Sequence, residues 1–362
     1  MADHTKPLRV LLDGNPLLGD RTGVGRYTSA LAEELASMAE IQVRAVAFTT
    51  RGWRQLRTVV PHGVKARGLP VPARALRACW LKSSLPPIEL FAGPTDVVHG
   101  TNFVLPPSLR AGGVLTIHDL AFLDAADELS QVESDLPELV RVSAKRAAVI
   151  LTPTRAVADV VRERLRVPSD KIVVTPLGVD PAWFVAQAPS LPLRRRLKLP
   201  ESYVLYVGAE NPRKGLPNLL KAHGASAALP PLVLAGPGTA RVDGDVIRTG
   251  YLSELDLRRV VAGASALVLP SRDEGFGLPV LEALACGVPV VCSDVPSLRE
   301  VSGGQALHVP VGDVEALTDA LETVVKSSAD AATLAARRTR AAEFTWRRCA
   351  ELTVEAYHRA AS

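Results

Sequence analysis

The sequence is short of aromatic side chains, which make up 4% of its 362 residues, so aromatic stacking cannot supply the core. The interior must come from Val, Leu and Ala, the composition of buried parallel strands flanked by Ala-rich helices. Its four cysteines (Cys79, Cys286, Cys292, Cys349) form no Cys-x-x-Cys pair and no zinc spacing. They read as reduced, mostly buried thiols, the state kept in a cytoplasm. No apolar run approaches the ~18 residues of a membrane span. The five-residue apolar stretch before Asp13 and Gly14 is too short for a signal peptide. The net charge of +4 is mild and gives no reason to expect nucleic acid as a partner.

What is present is ordinary for a soluble globular protein, with 47% apolar and 22% charged residues, and the length suggests about two domains. Short β-rich runs alternate with longer amphipathic stretches. Strands are expected at 8–12, 42–48, 96–99, 113–117, 149–152 and 171–175, with helices at 25–38, 133–147 and 154–165. Residues 181–200 lose this periodicity, with four prolines and the triplet Arg194, Arg195, Arg196, and are read as a linker. A second series follows: strands at 203–207, 232–235, 266–269 and 288–292, helices at 216–227, 254–262, 279–285, 314–327, 331–343 and 346–360. Such alternation argues for parallel sheets covered on both faces. The expected domains are 1–190 and 191–345, with 346–362 a C-terminal helix that returns to the first domain.

Charge is uneven along the first half. Residues 41–88 hold nine Lys or Arg and no acid, whereas residues 111–140 hold seven acids and no Lys or Arg. Within the basic stretch, Ala73–Lys82 at helical pitch puts Leu76, Cys79 and Trp80 on one side and Arg74, Arg77 and Lys82 on the other. That side is either an ordinary solvated face or a peripheral docking surface for anionic lipid or an anionic acceptor.

The chemistry concentrates at strand ends. After the first strand, Gly19, Gly23 and Gly25 could let backbone N–H groups approach a phosphate or sugar, but Thr28 stands where a dinucleotide fingerprint needs its third small residue. After the strand at 203–207, Gly208 is followed by the adjacent cations Arg213 and Lys214 and by Gly215. Each cation ~4 Å from an anionic oxygen contributes about 4 kcal/mol at an effective dielectric near 20. The segment after the strand at 266–269 carries the sharpest signal: Glu274-Gly275-Phe276-Gly277-Leu278-Pro279, then Glu282 inside a helix that opens at the proline. The spacing sets the two carboxylates further apart than the ~5 Å of a retaining glycosidase pair, so each is expected to hold a different polyol. His118 ends the strand at 113–117 and His99 ends another; a neutral imidazole there can hydrogen-bond a sugar hydroxyl, or serve structure alone. Asp243 and Asp245 resemble a metal-holding Asp-x-Asp pair, but a solvated turn accounts for them better.

At these residues the chain resembles the retaining glycosyltransferases of family four. The resemblance spans nearly the whole length and includes Gly23-Val24-Gly25-Arg26-Tyr27, His118-Asp119-Leu120, Thr152-Pro153-Thr154, Pro176-Leu177-Gly178-Val179-Asp180, Pro212-Arg213-Lys214 and Gly250-Tyr251-Leu252. It implies an α/β GT-B fold of two facing Rossmann-like, doubly wound domains with a cleft between them. It further implies that Arg213 and Lys214 bind the diphosphate and that Glu274 holds the sugar and Glu282 the ribose. Backbone of Gly275, Phe276, Gly277 and Leu278 would contact sugar and phosphate, and backbone at Tyr251 and Leu252 would read the base. Gly23 and Gly25 would reach toward phosphates or acceptor, and His118 would line the sugar site. Retention, no bound metal and no other cofactor are implied, with domain closure about residues 181–200 excluding water. Thr152-Pro153-Thr154 departs from the family's usual helix-start signature, and Gly303-Gly304 replaces a commoner Gly–Asp.

Within the family the motifs look like the mannosyltransferases of polysaccharide biosynthesis. The expected reaction therefore moves mannose from GDP-mannose to a glycan, glycolipid or small-molecule acceptor, in the cytoplasm or at the inner face of its membrane. UDP- or dTDP-linked sugars are the alternative donors. A nucleotide-sugar epimerase of the same architecture, a non-catalytic partner subunit and an NAD-dependent dehydrogenase are the competing readings.

Overall fold

A computed structural model describes residues 6–19, 23–50, 53–123, 135–237, 246–327 and 330–362. The chain divides into two compact units, Met1–Gly178 with Trp346–Ser362, and Val179–Thr345. Both are α/β units built on a parallel sheet, and the last helix belongs to the first.

In the first unit the strands are β1 (Leu8–Asp13), β2 (Ile41–Phe48), β3 (Lys65–Leu69), β4 (Val97–Gly100), β5 (Gly112–Thr116), β6 (Val149–Thr152) and β7 (Ile172–Val174). Among the described residues they form one sheet in the order β3-β2-β1-β4-β5-β6-β7, every pair parallel. The helices are α1 (Gly23–Ala36), α2 (Leu56–Val59), α3 (Ala73–Lys82), α4 (Glu89–Ala92), α5 (Leu136–Arg146) and α6 (Arg155–Leu165). The start expected for the helix at 133–147 falls partly outside the described residues. Thr154 caps α6, its hydroxyl accepting from Val157 N at 3.2 Å, which gives Thr152-Pro153-Thr154 a structural role. The central strands β4 and β6 are buried throughout, as near-continuous apolar runs require when both faces are covered.

The second unit repeats the scheme with β8 (Val204–Val207), β9 (Leu232–Ala235), β10 (Val246–Gly250), β11 (Ala266–Leu269), β12 (Val290–Ser293) and β13 (Leu307–Val309). Their order is β10-β9-β8-β11-β12-β13, again all parallel. The helices are α7 (Leu191–Leu197), α8 (Leu216–Gly224), α9 (Glu254–Ala262), α10 (Leu278–Cys286), α11 (Pro296–Ser302), α12 (Val314–Lys326), α13 (Ala331–Ala342) and, returning to the first unit, α14 (Trp346–Ala361). Residues 181–200 are more ordered than a linker: Asp180 caps a 3-10 turn at Pro181–Trp183, and α7 carries its proline in the first turn, where no N–H is lost. Residues 179–190 pack within the second unit. Val179 N donates to Phe344 O at 3.1 Å, and Trp183 is buried with its carbonyl accepting from Cys286 Sγ at 3.3 Å.

A buried polar chain fastens α14 to the first sheet. Tyr357 OH lies 2.7 Å from His99 Nδ1, His99 Nε2 lies 2.7 Å from Thr116 Oγ1, and Tyr27 OH lies 2.9 Å from the same hydroxyl. Both ring nitrogens of His99 are thus occupied, so this histidine serves structure rather than substrate. Burial, with a further push from His118, lowers its pKa to about 3.

Two consequences follow. Tyr357→Phe strands a buried ring nitrogen, which should cost about 1–3 kcal/mol in urea unfolding; an unchanged midpoint would show that the chain of bonds contributes nothing. The unfolded chain takes up the His99 proton near the ordinary imidazole pKa of about 6.5, well before the folded chain does. Stability should therefore hold above about pH 6.5 and fall as the pH drops toward the folded value. A urea midpoint unchanged between about pH 7 and pH 5, where few carboxylates titrate, would contradict this.

Candidate functional site

Because the strands of each sheet run parallel, all carboxyl ends of the second sheet lie on one rim, where ligands of such folds bind. After β8 the chain turns at Asn211, whose Oδ1 accepts from Arg213 N at 2.9 Å and caps a 3-10 turn over Pro212–Lys214. Gly215 closes this turn at φ 69° and opens α8. A Cβ at Gly215 would stand 2.0 Å from the carbonyl oxygen of Pro270, at the end of β11. Only glycine lets the cationic turn press against the neighbouring loop. Arg272 N donates to Arg213 O at 2.8 Å and fixes the register.

That contact brings Lys214 to Glu274. Nζ lies 2.6 Å from Oε1, with the side chains 22% and 9% exposed. Ser271 Oγ donates to the same oxygen at 2.7 Å, and Ser297 Oγ, at the start of α11, donates to the Glu274 carbonyl at 2.5 Å. The carboxylate is therefore aimed by two groups, Lys214 and Ser271, while Ser297 holds the backbone beneath it. Arg213 Nη1 donates to the Asp273 carbonyl at 3.5 Å, which keeps the guanidinium on the same loop. The charge of Glu274 also adds to burial in pushing up the pKa of Tyr206, whose hydroxyl donates to Ala209 O at 3.1 Å.

Gly275, Phe276 and Gly277 lead into α10. Gly277 sits at φ 90° as its N-cap, and Pro279 occupies the first turn. The N–H groups of a helix's first turn lack intrahelical acceptors and face the positive end of the dipole, a ready contact for phosphate. Phe276 is buried edge-on against Phe344 at 5.7 Å, and Leu278 is buried too, so the loop is fixed from beneath. Glu282 lies in the second turn of α10 and is 1% exposed. It faces Cys286, whose thiol is pushed up to about 12 by burial first and by the Glu282 charge second. Glu274 and Glu282 thus stand on different elements. Tyr251 follows β10 half exposed, with Leu252 beside it.

In the first unit, Gly23 and Gly25 lie inside the first turn of α1 rather than in a free loop, and Gly25 is buried; Asp20, Arg21 and Thr22 fall outside the described residues. His118 is buried at the end of β5, edge-on to Tyr27 at 4.8 Å. Its Nε2 lies 2.9 Å from Thr101 O, and a carbonyl only accepts, so Nε2 carries the proton and Nδ1 is the acceptor. Burial holds the ring below the ordinary imidazole range, against the opposing pull of the Thr101 carbonyl and Asp119. Asp243 and Asp245 fall outside the described residues; among those described, no group of three or more His, Cys, Asp or Glu is placed to hold a metal.

The structure thus brings Arg213, Lys214, Glu274 and the glycine-rich start of α10 together. The sequence reading missed Asn211, Ser271 and Ser297, the three residues that set the turn and the carboxylate. Their only signal was a short polar residue two or three places from the functional one, or at a helix start.

Comparison with known proteins agrees with this geometry. The family described as Glycosyltransferase Family 4 matches residues 21–183, and that described as Glycosyl transferases group 1 matches residues 201–327. O-antigen chain mannosyltransferase B of Escherichia coli is 29% identical, over 97% of this chain and 99% of that one. A D-inositol 3-phosphate glycosyltransferase of Stackebrandtia nassauensis is 30% identical, over 98% of this chain and 89% of that one. Among solved structures, sucrose-phosphate synthase from Thermosynechococcus elongatus superposes with a TM-score of 0.74 at 21% identity, covering 98% of each chain. Anabaena HepE in complex with UDP and glucose gives 0.71 at 16% identity, covering 96% of this chain and 98% of that one. Both structures speak for the fold. With its two parallel-sheet units, its returning helix and its relatives in sequence, the chain belongs to the GT-B glycosyltransferases of the family-four superfamily, enzymes that take a sugar from a nucleotide-sugar donor.

Proposed function

We propose that the enzyme transfers mannose from GDP-mannose, with retention of configuration, to a glycan or lipid-linked acceptor in polysaccharide assembly. The observation that carries the site assignment is the Lys214–Glu274 pair at the carboxyl rim of the second sheet, with Arg213 beside it. The choice of mannose rests on similarity over nearly the full length to an O-antigen chain mannosyltransferase.

In this reading Lys214 and Arg213 hold the diphosphate, Glu274 a sugar hydroxyl, and Glu282 the ribose. Backbone N–H groups from Gly275 to Leu278 meet sugar and phosphate, and backbone at Tyr251 and Leu252 reads the base. His118 accepts a substrate hydroxyl proton through Nδ1. As the bond between the anomeric carbon and the β-phosphate oxygen lengthens, negative charge gathers on the diphosphate and the sugar becomes oxocarbenium-like. The acceptor oxygen then bonds the anomeric carbon on the face the diphosphate leaves, and its proton passes to the departing phosphate oxygen. Two fixed cations stabilise that departing charge, which raises turnover because their attraction grows as the bond breaks.

Lys214→Ala should lower turnover by about 10²–10³, equivalent to roughly 3–4 kcal/mol of barrier. Activity within about twofold of wild type would remove Lys214 from this role. Proton NMR of the product should show the donor's own anomeric configuration, and a chelator should leave the rate unchanged. An inverted product would overturn the same-face route, and release of a different free sugar nucleotide without acceptor would favour epimerisation. In a thermal-shift series GDP should stabilise the protein more than UDP, dTDP or ADP; a larger shift with one of those would reassign the donor.

A further inference from the structure

The strands β8, β9 and β10 are neighbours in the second sheet, and the carboxyl end of each carries a glycine: Gly208, Gly236 and Gly250. Gly208 N donates to Ala235 O at 2.9 Å and Gly236 N to Gly250 O at 3.1 Å, which ties the three ends together. A Cβ at Gly236 would stand 2.1 Å from the Gly208 carbonyl oxygen, so only glycine permits this approach. A Cβ at Gly250 would meet nothing within 4 Å, so the space beside the last strand end is open. These ends form a shelf of bare backbone that starts where β8 leads to Arg213 and Lys214 and finishes at Tyr251. Neighbouring strands lie about 4.8 Å apart, so the shelf runs for roughly 10 Å. A diphosphate held at the cationic turn would lay its ribose and base along that length.

At the far end of the shelf one cation lacks an acceptor. Arg248 lies on β10 in register with Leu234, and the register shifts between Arg248 and Gly250. Irregularities of this kind re-aim side chains beside binding sites. Nε, Nη1 and Nη2 of Arg248 are all buried, and none has a hydrogen-bond partner among the described residues. A guanidinium keeps its charge, and a buried charge without a partner destabilises the fold that carries it. Arg248 stands three residues before Tyr251. That separation is about 10 Å along a strand, and the long stem of an arginine lets its head turn toward a ligand at that distance.

We propose, on the reading that Tyr251 and Leu252 meet the base, that Arg248 selects guanine by donating from its guanidinium to O6 and N7. Those two acceptors are adjacent on one edge of guanine and match the arginine fork. Adenine puts an amino donor where O6 stands, and uracil and thymine offer O4 alone on that edge, so none of them supplies both acceptors. A phosphate would also satisfy a guanidinium, but on the same reading the diphosphate lies at the other end of the shelf, with Arg213 and Lys214. Arg248 therefore sets donor specificity and takes no part in breaking the bond to the anomeric carbon. Its missing partner arrives with the nucleotide.

The test is isothermal titration calorimetry of the full chain with GDP, UDP, ADP and 7-deaza-GDP. Wild type should bind GDP best, and 7-deaza-GDP, which lacks the N7 acceptor, about tenfold more weakly. Arg248→Met should lose roughly tenfold to a hundredfold in affinity for GDP, hold UDP within about threefold, and bind GDP and 7-deaza-GDP alike. Without ligand the variant should melt no lower than wild type, because it removes an unpartnered buried charge and keeps the stem. A wild type that prefers UDP or ADP would overturn the guanine donor and this role with it. A wild type that prefers GDP, with the preference kept in Arg248→Met, would overturn this role alone. So would equal binding of GDP and 7-deaza-GDP by wild type, a comparison that needs no variant to fold. A lower melting temperature of the ligand-free variant would make Arg248 a structural group and overturn the proposal too.

Discussion

The site of the second unit depends on the close approach of two loops at the carboxyl rim of its sheet, where a Cβ at Gly215 would stand 2.0 Å from the Pro270 carbonyl oxygen. That glycine lets the Pro212–Lys214 turn lie against the end of β11, and everything functional follows from the contact. Lys214 meets Glu274, Arg213 meets the backbone of Asp273, and Ser271 and Ser297 fix what remains of the loop. A carboxylate this shielded is tolerable only while its charge is matched. Lys214 matches it, and the same ammonium lies within reach of a second anion brought to the rim. One cation thereby keeps the acid ordered and, in the proposed function, also meets the diphosphate.

The second acid is governed by a different constraint. The helix α10 is apolar almost all round and is buried along its length, which makes it a rigid mount. Glu282 is the charged residue of that helix, 1% exposed and close enough to Cys286 to raise its thiol. A buried acid in such surroundings costs folding stability unless its charge is matched. In the proposed function the two carboxylates, one on the loop and one on the helix, each hold one polyol of a sugar nucleotide.

Much of the fold was legible in the sequence, for stated reasons. Strands buried on both faces, such as Val149–Thr152 and Ala266–Leu269, stand out as unbroken apolar runs. The strands not foreseen, Lys65–Leu69, Val246–Gly250 and Leu307–Val309, all lie at sheet edges, where one side is open and polar residues intrude. The short helices Leu191–Leu197 and Pro296–Ser302 were hidden by their prolines, which mark a helix start as readily as a break. At the site, the glycines and the charges were readable because their chemistry is local. Ser271 and Ser297 were not, because a hydroxyl acquires meaning only when the fold brings it to Glu274 from 3 and 23 positions away. His99 and His118 looked alike as strand-end residues; the packing of Tyr357 against one of them separates their roles.

The central claim is that the rim of the second unit grips a pyrophosphate through Arg213 and Lys214. Isothermal titration calorimetry of wild type and of the Arg213→Ala, Lys214→Ala double variant, each with GDP and with guanosine, tests it directly. The account predicts that wild type prefers GDP by a factor on the order of a hundred or more, and that the double variant loses most of that preference. Equal affinity for the nucleoside and its diphosphate in wild type, or a preference that survives loss of both cations, would contradict it.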